Sequence, residues 1–178
     1  MNNKNTRKII ISAMFLALGV ALPFLTGQIK EIGDTLLPMH IPVMLCGLIC
    51  GWKYGLAVGL ILPFLRAVTV GMPPIYPNAV WMSLELATYG GVIGILYFSF
   101  QKKQVWWLYV SLVISMVSGR IVWGVAKTIL LGVAGKAFTF QAFIAGGVID
   151  AFPGIILQLI LIPAIIRLKD YFFERSGK

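Results

Sequence analysis

The sequence predicts an all-α polytopic membrane protein with six transmembrane helices and both termini in the cytoplasm. Two observations predict it: the length of the apolar runs, and where the charges fall between them. Of 178 residues, 59% are hydrophobic and 12% charged, against roughly a quarter charged in soluble domains. The apolar residues come in runs that match the roughly 18 or more needed to cross a bilayer. Six spans can be drawn, at residues 9–25, 36–51, 54–70, 79–100, 105–131 and 140–166, and they use up the chain as one integral membrane domain.

The first span follows a basic start, but no small-x-small cleavage site comes after it, so it reads as a retained helix rather than a signal peptide. The second is short and carries Pro38 and Pro42, and charge placement tests it. With six spans and the N-terminus inside, Lys4, Arg7, Lys8, Lys53, Lys102, Lys103, Arg167, Lys169, Arg175 and Lys178 are cytoplasmic, and only Lys30 and Lys136 lie outside. Ten against two obeys the positive-inside rule. Without the second span the later segments invert and eight basic residues fall outside.

The inner connections between spans are very short. GWK and QKKQ on the inner side predict tight hairpins for helix pairs two and three, and four and five. On the outer side, TGQIKEIGDT is long enough to fold over a site, and GMPPIYPN is stiffened by proline. The net charge of +9 is scattered in short clusters between apolar runs, a pattern that argues against nucleic acid. Cys46 and Cys50 sit four apart on one helix, where a disulfide does not fit.

Charges inside the spans mark the candidate site, because an ionisable group in hydrocarbon costs roughly 2.5–3.5 kcal/mol unless it meets a cavity or partner. Arg66, Glu85, Arg120, Lys127 and Asp150 all fall in the middle or outer half, with His40 at the outer start of the second helix. Helical spacing groups Asn78, Trp81, Glu85 and Tyr89 on one stripe and Arg120, Trp123 and Lys127 on another. Gly124 leaves room beside the second stripe, and Gly146, Gly147 and Gly154 flank Asp150. Aromatic rings with a few convergent polar groups are what a small-molecule pocket needs.

Structural roles stay open for the same residues. Glu85 can pair with Arg66 or Arg120, Asp150 with Lys127, and Trp81 can anchor at the interface, as Trp106, Trp107 and Tyr109 do on the inner side. The five charges sum to +1, which favours a neutral, zwitterionic or singly anionic ligand over a cation. A lone His40 makes a metal site improbable, and no cofactor is expected. The chain lacks a G-x-x-x-x-G-K-[ST] phosphate loop, so any ATP use falls to partners. On the first helix, Ala13 and Ala17 form a small-xxx-small pair that lets another helix approach.

Six spans in so short a chain, that alanine pair, the long outer loop, the Leu36–Leu60 stretch LLPMHIPVMLCGLICGWKYGLAVGL and the outer polar residues together resemble an S component of an energy-coupling factor (ECF) transporter. The resemblance covers nearly the whole chain. It implies a subunit in a bacterial plasma membrane that binds a vitamin or related nutrient. That subunit would join a transmembrane coupling protein and two cytoplasmic ATPases, with Ala13 and Ala17 as its contact with the coupling protein. It also implies a pocket among the outer ends of helices four to six, and release by tipping of the whole subunit. Trp81, Trp123 and Tyr89 favour a flat heteroaromatic ring such as vitamin B6 or a thiamine precursor, whereas Arg120 and Lys127 suit a carboxylate as in pantothenate.

Two other functions compete. A stand-alone secondary transporter would use Glu85 or Asp150 as a proton relay, although no internal repeat supports it. An intramembrane enzyme would need a nucleophile and base at one depth, which one histidine supports poorly.

Overall fold

The computed structural model describes residues 3–25, 35–99 and 105–176. Seven α-helices make up most of it: α1 (Asn3–Leu25), α2 (His40–Cys50), α3 (Trp52–Val70), α4 (Val80–Ser99), α5 (Val105–Val133), α6 (Phe140–Ile144) and α7 (Phe152–Ser176). No strand occurs among the described residues. Among the described residues, five helical segments are long and apolar enough to cross a membrane, and α2 is a shorter apolar helix. The architecture is that of an all-α polytopic membrane protein.

The second helix begins later than the expected 36–51. Pro38 disfavours helical geometry at the residue before it, and Leu37 there takes a left-handed φ of 51°. The chain turns, with the His40 amide donating to the Leu37 carbonyl at 3.1 Å, and helix starts only at His40. Its 11 residues span about 16 Å. Every α2 residue but Ile49 is buried, so this helix is apolar all round because neighbours enclose it. Gly51, at φ 104°, is the one residue between α2 and α3, and only glycine takes that conformation cheaply. The expected tight hairpin follows from it. The QKKQ connection and, apart from Thr35, the outer loop expected to cover the site lie outside the described residues.

Glycines set how closely α2, α3 and α4 pack. A Cβ at Gly90 would meet the backbone oxygen of Gly55, one at Gly47 would meet that of Gly90, and one at Gly59 would lie 2.5 Å from the Leu86 carbonyl. Close backbone approach of this kind is how helices associate where no hydrophobic effect drives them together. On α1, Ser12, Gly19 and Pro23 are buried, whereas Ala13 and Ala17 are exposed together with Met14 and Leu18.

The last expected span, 140–166, is interrupted. α6 widens into a π-type turn at Ala145–Ile149 and α7 starts afresh at Phe152. Pro153 cannot donate to the ladder and its ring clashes with the preceding turn, which breaks a helix here. Gly154 then lies against the backbone of Thr35 and Leu36, where a Cβ would come within 2.5 Å. Farther along, Ile162 and Ile166 enter the main core with Leu48, Tyr89, Leu108 and Leu112.

Candidate functional site

Glu85 is the centre of the buried polar cluster. It stands on α4 at 2% exposure, too deep to stay charged without partners, and two other helices supply them. Arg120 of α5 reaches its Oε1 with Nη1 at 2.9 Å, and His40 of α2 brings Nε2 to the same oxygen at 3.5 Å. A hydrogen bond from His40 to an ionised Glu85, which only accepts, requires the imidazole proton on Nε2. The edge of the His40 ring meets Tyr89, with centroids 5.0 Å apart. Tyr89 is held from below by Gly119, where a Cβ would lie 2.8 Å from its ring.

A second layer lies next to the first, toward the C-terminal end of α5. The Lys127 ammonium sits 4.5 Å from the Trp123 ring, 5.4 Å from Trp81 and 5.1 Å from Phe138. Cation–π attraction of this kind is worth about 0.5–2 kcal/mol per ring, more when desolvated. Arg120 also stands over Trp123, at 5.8 Å, so Trp123 links the two layers. Phe138 meets Trp123 edge-on at 5.8 Å, and Phe143 of α6 lies at 6.0 Å. The space expected beside Gly124 is taken by Phe143.

The structure therefore brings together His40, Trp81, Glu85, Tyr89, Arg120, Trp123 and Lys127. Asn78 is half-buried in the kinked turn Ile75–Ala79 that leads into α4, one turn beyond Trp81. Arg66 takes a different partner from either carboxylate: its Nη1 contacts the Met39 thioether at 3.3 Å. Asp150 is exposed in the break between α6 and α7, so it does not join the cluster. A separate apolar groove of about 440 Å³ runs between α5 and the 138–143 segment, lined by Gly124, Val125, Thr128, Phe138 and Phe143 among others. Among the described residues, no three His, Cys, Asp or Glu side chains gather as a metal site would require.

Sequence reasoning missed Met39, Phe138, Phe143 and Gln158. Gln158 is 1% exposed on α7 with no partner for its Nε2. It stands on the stripe that carries Gly154 to the Thr35–Leu36 backbone and Ile162 into the core. The signal was present as a lone amide inside LQLIL. Among the described residues, four other buried polar atoms lack a hydrogen-bond partner: His40 Nδ1, Arg66 Nε, and Arg120 Nε and Nη2. Buried polar groups are rarely left so, and here they gather mostly around one carboxylate.

Residues 7–166 match the family model of the ECF transporter, substrate-specific component. No curated protein and no solved structure matches the chain.

Proposed function

As the chain belongs to the substrate-specific components of ECF transporters, and is thus a transport subunit rather than an enzyme, we propose that it captures a small water-soluble nutrient of the B-vitamin kind. Its pocket is the outer cluster around Glu85. The observation that carries this reading is the set of orphaned polar atoms beside Glu85 and Arg120: a purely structural ion pair has no use for buried donors that it leaves unpaired. Trp81, Trp123 and Tyr89 line the same cluster and suit a nutrient built on a flat heteroaromatic ring.

In this proposal the chain crosses a bacterial plasma membrane six times with both ends cytoplasmic, and α2 forms the short second crossing. Transport is powered by a transmembrane coupling protein and two cytoplasmic ATPases. The exposure of Ala13 and Ala17 on α1, away from the pocket, supports the coupling protein's docking there. Ala13→Trp is expected to leave ligand affinity unchanged and to lower ATP-driven uptake about tenfold or more, the loss of roughly 1.4 kcal/mol or more of helix packing. Equilibrium binding and uptake measured on the same preparation check this, and a parallel loss of binding would join pocket and docking face into one unit.

Native mass spectrometry of the purified chain tests capture itself. One small-molecule adduct per chain is the expected result. No adduct, and no binding across a vitamin panel, would remove the reading.

A further inference from the structure

We propose that the captured nutrient carries a carboxylate, and that this group docks side-on against the Nε–Nη2 edge of Arg120. The inference rests on the capture reading and narrows its ligand class. A guanidinium presents its N–H groups in a rigid plane, and two parallel N–H vectors along one edge match the two oxygens of a carboxylate. In Arg120 the third nitrogen, Nη1, is already committed to Glu85 at 2.9 Å. The two left over, Nε and Nη2, are both buried and both lack a partner, and together they make up one complete bidentate edge. Glu85 thus holds one end of the guanidinium and leaves that edge uncommitted.

Charge points the same way. With Asp150 exposed outside the cluster, the described cluster sets the two cations Arg120 and Lys127 around Trp123 beside the carboxylate of Glu85, a setting that suits an anion better than a cation. One more orphan beside Glu85 refines the picture: His40 Nδ1 is buried without a partner, and when a neutral ring donates from Nε2 to an ionised Glu85 its lone pair is an acceptor. A planar acid bearing a hydroxyl or ring N–H is the class these atoms serve, and an amine vitamin is not.

The test uses the intact protein, purified without added ligand. Small molecules are extracted from it, a portion is converted to the methyl ester, and acid and ester are each rebound to ligand-stripped protein. The expected molecule is a carboxylic acid that rebinds about 10- to 100-fold more tightly than its ester, the worth of a charge-assisted pair. Arg120→Lys keeps the positive charge for Glu85 but has no fork, so the acid-over-ester preference should collapse toward unity. An extracted molecule that is neutral, cationic or a phosphate ester overturns the proposal and leaves capture standing. So does equal binding of acid and ester, or a preference that survives in Arg120→Lys. Recovery of no molecule, together with no binding across a vitamin panel, overturns the capture reading, and this inference with it.

Discussion

Arg120→Ala should abolish ligand binding and destabilise the ligand-free protein by about 3–5 kcal/mol, the cost of stripping a buried ion of its partner. The substitution leaves Glu85 at 2% exposure with only the longer 3.5 Å contact from His40. The large stability term is the abandoned carboxylate rather than the net worth of the pair. Glu85→Gln added to Arg120→Ala should therefore recover most of the loss, since a neutral amide tolerates burial better, whereas binding should not return because the guanidinium edge is gone. Thermal unfolding in detergent of the two single variants and the double variant reads the coupling directly. If the two losses simply add, Glu85 and Arg120 do not act as a pair.

Gly90→Val should be the most damaging change away from the site. A Cβ at Gly90 runs into the Gly55 backbone, with the Gly55 Cα 2.9 Å away. Backbone cannot rotate aside as a side chain can, so α3 and α4 must separate, and overpacking of this kind costs about 3 kcal/mol or more. α4 also carries Trp81, Glu85 and Tyr89, so the displacement would spread the pocket. Gly91→Ala is the matched control: its Cβ would meet Leu56 at 3.5 Å, ordinary contact, and alanine favours helix by up to about 1 kcal/mol. The yield of monodisperse protein and its melting temperature should fall sharply for Gly90→Val and hold or rise for Gly91→Ala. Equal behaviour of the two would mean that the α3–α4 contact is softer than its geometry implies.

Much of the helical layout was legible in the sequence because hydrocarbon allows few alternatives: an apolar run of the right length must satisfy its own backbone. Helix ends were harder. Pro38 moved the start of α2 to His40, and Pro153 with Gly146 and Gly147 broke the last run. In both places a local backbone preference outweighed an apolar pattern that continued past it. Buried charge drew attention to Glu85 and Arg120 because few residues justify such a cost. Their pairing with each other, one of the alternatives left open, was decided by which helices pack. The Arg66 contact with the Met39 thioether had no sequence signal, since it depends on the turn at Leu37. Asp150 reads as buried only on an unbroken helix, and the break after Ile149 leaves it exposed. Gln158 carries no charge, so the cost of burying an ion does not mark it.

The central claim is that this chain captures a nutrient and depends on others for power. Uptake into proteoliposomes tests it most directly, using the molecule extracted from the purified protein as the labelled solute. With the coupling protein and both ATPases present, uptake should require ATP, and the chain alone should bind the solute without accumulating it under a proton gradient. Accumulation by the chain alone, driven by that gradient and indifferent to the ATPases, would contradict the account and identify a proton-coupled transporter instead.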